Sequence, residues 1–122
     1  MMLEDDVRDS ALIGSDRVEG TSVFGRDGDK IGSVRRVMIE KKSGQARDVE
    51  IAVGTFLGMG GELHSVPWEK FEYDTDLGGY QINVTEDELR NAPTYGESDR
   101  DTAYDLEYQQ RAYDYWTVTP YW

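Results

Sequence analysis

The sequence predicts a mainly β fold, a small barrel with one short helix and an aromatic helical tail. Three observations carry this. Short runs of alternating apolar residues recur between glycine turns. The length of 122 residues allows one modest core. Eight of the aromatic residues crowd between Tyr95 and Trp122, outside the alternating region.

The first ten residues, MMLEDDVRDS, are acidic and polar and predict a flexible start. Strand signals begin near Ala11, and Val23-Phe24 follows a turn-like Glu19-Gly20. Asp27-Gly28 lies in a tight turn, because such turns need φ > 0. Lys30 to Lys41 reads as a long strand with Ile31, Val34, Val37 and Ile39 as its apolar positions. Its alternation slips by one, which predicts a bulge near Arg35-Arg36. Val49, Ile51 and Val53 alternate with Asp48, Glu50 and Ala52, the pattern of a half-buried strand with the second set facing water. Gly54–Gly61 is a glycine-rich connection with an apolar centre. Leu63–Val66 is a short strand ending at Pro67, and Trp68–Phe71 is one helical turn. Phe71–Asp74 and Tyr80–Val84 form a hairpin around Gly78-Gly79. Thr85-x-x-Glu88 is a capping box for a short helix that stops before Pro93. Ser98-x-x-Asp101 predicts a cap for a tail helix over Asp99–Tyr115, with Tyr104, Tyr108, Ala112 and Tyr115 on one face. The expected organisation is therefore a flexible segment 1–10, a barrel 11–95 and a helical extension 96–122.

Composition excludes several function classes. With no cysteine there is no disulfide, thiolate zinc site or cysteine nucleophile, which fits a reducing cytoplasm. A net charge of −12 repels nucleic acid and anionic membrane surfaces. No apolar run is long enough to span a bilayer, and none near Met1 reads as a signal peptide. His64 is the only histidine and has no cysteine or second histidine to share a metal with. The Gly54–Gly61 loop lacks the phosphate-binding lysine pattern. Asp27-Gly28-Asp29 and Asp74-Thr75-Asp76 lack the acid that a calcium loop places at its twelfth position. Ser33, Ser43 and Ser65 sit in no nucleophile elbow. Arg35, Arg36, Lys41, Lys42 and Arg47 alternate with acids and read as a solvated strand face. Glu62, Glu69 and Glu72 could serve as an acid/base pair only if folding brought two of them together. No cofactor and no metal are expected.

Several short motifs from Ala11 to Tyr95 together resemble the PRC-barrel domain. They are Leu12-Ile13-Gly14, then Gly28-Asp29-Lys30-Ile31-Gly32-Ser33-Val34, Val37-Met38-Ile39, Val49-Glu50-Ile51-Ala52-Val53 and Val66-Pro67-Trp68-Glu69-Lys70-Phe71. That family includes the cytoplasmic part of the photosynthetic reaction-centre H subunit, a domain of a ribosome maturation factor and stand-alone bacterial proteins. The resemblance implies a small SH3-like barrel, a role in protein–protein contact and no shared catalytic residues. The aromatic tail lies outside it.

The function expected is therefore a non-catalytic, cytoplasmic interaction module. It would self-associate as a homo-oligomer through its tail and bind a further protein. The candidate partner-binding residues are Tyr104, Tyr108, Tyr115, Trp116, Tyr121 and Trp122, with Phe56, Leu57 and Met59 from the glycine-rich loop. Rings anchor contacts because each buries a large apolar area. The alternative is a barrel mouth, with Phe56, Leu57, Met59 and Trp68, that holds a small apolar ligand or pigment.

Overall fold

A computed structural model describes residues 10–53 and 61–118 of the chain. The elements are α1 (Ser15–Val18), β1 (Ser22–Phe24), β2 (Lys30–Ile39), β3 (Ala46–Val53), β4 (Glu62–Pro67), a 3-10 turn (Trp68–Lys70), β5 (Glu72–Asp74), β6 (Gly79–Gln81), α2 (Glu86–Arg90), β7 (Tyr95–Gly96), a 3-10 segment (Glu97–Tyr104) and α3 (Leu106–Val118). The strands form one seven-stranded sheet in the order β5-β6-β1-β2-β3-β4-β7. All pairings are antiparallel except β1 with β6.

Local chemistry accounts for most boundaries. Gly28 turns the chain between β1 and β2 at φ +86°, with its N–H donating to the Gly25 carbonyl at 3.0 Å. The expected bulge in β2 lies between Val34 and Arg36, where the register to β3 shifts. A second shift, between Met38 and Ile39, comes before the turn into β3. Thr85 caps α2 in a full capping box: its hydroxyl accepts from the Glu88 N–H at 3.1 Å, and the Glu88 carboxylate accepts from the Thr85 N–H at 2.9 Å.

Two expectations at the ends of the chain are corrected. Leu12-Ile13 does not start a strand; both side chains are exposed, and the first regular element among the described residues is α1. The tail helix starts seven residues later than Asp99. The Asp105 carboxylate accepts from the Glu107 N–H at 2.8 Å, and Glu97–Tyr104 is a 3-10 segment broken at Asp99.

The main core joins Val23, Ile31, Val34, Val49, Ile51, Val53, Val66, Ile82, Val84 and Leu89, with Trp116 from α3. A second cluster lies on the opposite face of β3 and β4: Ala52, Leu63, Tyr95, Ala103, Tyr108 and Ala112. Glu50 and Ala52, predicted to face water, are consequently buried. The C-terminal segment covers the face that alternation alone assigns to solvent. Among the described residues no ladder joins β5 to β7, so the sheet is not closed by strand pairing.

Candidate interaction groove

β4 shows how the tail is held. A strand presents alternate residues to each neighbour, here Leu63, Ser65 and Pro67 on the side away from β3. The two-residue β7 pairs only with Glu62 and Leu63, and Thr94 Oγ1 donates to the Leu63 carbonyl at 2.9 Å. Past that point side chains of α3 take the place of a strand. The Ser65 N–H donates to the Tyr108 hydroxyl at 3.1 Å, and Trp116 Nε1 donates to the Ser65 carbonyl at 3.1 Å. Tyr108 in turn donates to the Pro93 carbonyl at 3.0 Å. Pro67, next along the edge, has no N–H to satisfy. An edge open to aggregation is thus covered within the chain.

A charged lock holds the 3-10 segment to the same face. The Glu50 carboxylate is 0% exposed. Oε1 accepts from Arg100 Nη2 at 2.6 Å and Nε at 3.1 Å. Oε2 accepts from Arg36 Nε at 3.0 Å and from the Tyr95 hydroxyl. Arg36 also donates to the Arg100 carbonyl at 3.0 Å, and Arg35 pairs with Glu97. A buried carboxylate is tolerable only with partners on both oxygens. Burial, then the bond to Glu50, push the Tyr95 hydroxyl well above the usual tyrosine range, so it stays a proton donor.

Between the far ends of β3 and β4 and the flank of α3 runs an open groove of about 320 Å³. Pro67, Trp68, Ala112 and Tyr113 supply its apolar surface, and Glu40, Asp48 and Glu69 its acids. Trp68 is fixed by an edge-on contact with Tyr80 at 5.7 Å. Tyr113 is 57% exposed. Arg47, the one guanidinium among the lining residues, lies 3.7 Å from Asp48 and donates to Gln109 Oε1 at 3.3 Å. Burial raises the Asp48 carboxyl above its ordinary value, and Arg47 opposes that shift.

The structure divides the expected partner-binding residues. Tyr108 and Trp116 are each 1% exposed, packed into the chain's own clusters, which leaves them no surface for a second molecule. Tyr115 is half-buried and its hydroxyl donates to the Glu88 carbonyl. Tyr104 lies in the 3-10 segment, not on the helix, and is exposed, with the Arg36 guanidinium 5.7 Å from its ring centre. Tyr121, Trp122, Phe56, Leu57 and Met59 lie outside the described residues. Leu106 and Tyr113, seven residues apart on one stripe of α3, are 79% and 57% exposed. Sequence reasoning left both out of the expected partner-binding residues. It also missed Glu50 and Arg100, whose pairing spans fifty positions and leaves no local signal.

The remaining titratable candidates do not converge on one site. His64 is buried, with Nδ1 at 3.2 Å from the Pro93 carbonyl and Nε2 3.9 Å from Glu62 Oε2. Burial lowers its pKa from the ordinary value. Glu72 borders a second surface depression together with Arg26, Lys70 and Glu69, the last of which also lines the groove.

The family model of the PRC-barrel domain matches residues 11–89, well over half of the chain. The chain belongs to the PRC-barrel family. The match ends before β7, the Arg100 lock and α3, so the segment that covers the outer sheet face lies beyond the matched region. No curated protein matches the sequence. No helix among the described residues is long and apolar enough to cross a membrane.

Proposed function

We propose that the protein is a non-catalytic interaction module that receives another protein on the side formed by α3 and the adjoining groove. The observation that carries this is the division of labour in the tail. Its inward residues, Tyr108 and Trp116, complete the β4 edge, while Leu106 and Tyr113 stand exposed on a helix already fixed in place. Apolar side chains held out on a rigid support mark a contact surface. The titratable groups of the outer face support a non-catalytic reading, since Glu50, Arg36, Arg100 and Tyr95 are bonded to one another.

Self-association through the tail, expected from the sequence, is the weaker form of the reading. Two of its anchors, Tyr108 and Trp116, are engaged within the chain, and two copies at −12 each repel. A ligand-holding barrel mouth would rest on Phe56, Leu57 and Met59, which lie outside the described residues. Trp68, its fourth member, packs against the core instead.

Affinity capture from host extract tests the reading. Immobilised full-length chain should retain a protein that the Leu106→Ser/Tyr113→Ser double variant loses. If both retain the same set, this face is not the contact surface.

A further inference from the structure

We infer that the groove between Trp68 and Tyr113 accepts an extended peptide segment that places a Lys or Arg next to an aliphatic side chain. This rests on the interaction-module reading and names the partner's chemistry. The two kinds of lining surface call for the two kinds of side chain. Pro67, Trp68, Ala112 and Tyr113 offer an apolar trough. Glu40, Asp48 and Glu69 border it with three carboxylates against the single guanidinium of Arg47, which is already engaged by Asp48 and Gln109. The field of a −12 chain adds to that local charge. A cationic segment is drawn in and an acidic one turned away.

Size narrows the occupant. At about 320 Å³ the groove lies at the lower end of the ~300–1,000 Å³ typical of binding sites. It fits one or two side chains of a chain lying across it. The aromatic walls suit either element of the segment. A ring face attracts an ammonium or guanidinium, and the same rings bury aliphatic surface. A second copy of this chain is the poorer occupant, since it brings the same acidic rim.

The test is an NMR titration of the full chain with three capped pentapeptides, Lys-Leu-Lys-Leu-Lys, Lys-Ser-Lys-Ser-Lys and Glu-Leu-Glu-Leu-Glu. The first should give saturable shifts at the Trp68 indole, Ala112, Tyr113 and Asp48. The other two should bind far more weakly. Glu40→Gln/Glu69→Gln, both at exposed positions, should weaken the first peptide about three- to tenfold. Tyr113→Ser should weaken it similarly, and so should Asp48→Asn, which removes the third bordering carboxylate and leaves Arg47 without its charged partner.

Equal binding of the serine peptide would reduce the effect to general charge attraction and overturn the proposal. Equal binding of the glutamate peptide would overturn its charge chemistry. Shifts centred on Tyr104 and Leu106 in place of the groove would overturn the site while leaving the interaction-module reading standing. No saturable binding by any peptide would overturn the inference outright. The capture experiment with Leu106→Ser/Tyr113→Ser would then decide the broader reading separately.

Discussion

Glu50 is the residue on which the outer face of the sheet turns. Its carboxylate joins β2 through Arg36, β7 through Tyr95 and the 3-10 segment through Arg100. Glu50→Gln removes the charge and leaves two guanidiniums facing an amide. Because both arginines are partly exposed, the loss should be about 2–4 kcal/mol, below the full range for a broken buried pair. Urea unfolding measures it, and Tyr104→Ser on the exposed side should change little.

His64 gives the second residue-scale prediction. Burial lowers its folded-state pKa, so the unfolded chain takes up the proton first as pH falls through about 6.5. Stability from this group is complete above that pH. It should fall by at most about 1.4 kcal/mol per pH unit below it, until the folded histidine protonates too. Unfolding curves from about pH 7.5 to about pH 5.5, above the carboxylate range, should show this decline in the native sequence and lose most of it in His64→Gln. An unchanged slope in the variant would place the effect elsewhere.

At the scale of elements, the β4 edge is the informative one. Trp116→Phe removes the donor to the Ser65 carbonyl and also shrinks a fully buried ring. It should cost about 2–4 kcal/mol, read as a lower urea midpoint with an unchanged slope. Gly79, where β6 runs beside β1, is a backbone contact of another kind. A Cβ there would lie 2.4 Å from the Ser22 carbonyl oxygen, so Gly79→Ala should destabilise by about 1–3 kcal/mol through overpacking.

Elements governed by near neighbours in sequence were legible. The Asp27-Gly28 turn, the β2 bulge and the Thr85–Glu88 capping box each depend on a few adjacent residues, and each stands where the sequence places it. β3 shows where that legibility ends. Val49, Ile51 and Val53 face the core as their alternation predicts. Most partners of Glu50 and Ala52 come from the segment from Tyr95 onward, which no local period can report. The tail helix start was misplaced for a local reason: Ser98 has the chemistry of a cap but lies inside a 3-10 segment that has no side-chain cap, whereas Asp105 accepts from the Glu107 N–H at the true start.

For the whole molecule, the C-terminal segment decides what kind of protein this is. Lying beyond the matched family region, it covers the second face of β3 and β4 and closes the β4 edge. With Tyr108 and Trp116 used in this way, Leu106 and Tyr113 remain exposed on a helix that is already held. The groove beside them was invisible in the sequence, because Glu40, Asp48, Trp68 and Tyr113 come from four separate stretches. Their aromatic and acidic character was present in the composition. Their convergence is a product of the fold.

The measurement that tests this most directly is the solution mass of the full chain by light scattering, beside a chain ending at Tyr95, with the unfolding of both followed by circular dichroism. The full chain should be a monomer that unfolds cooperatively. The shortened chain, with the Ser65 edge bare and Arg100 gone, should lose cooperative unfolding or aggregate. A full chain that is a dimer, together with a shortened chain that is a stable, folded monomer, would contradict the account and make the tail an assembly arm.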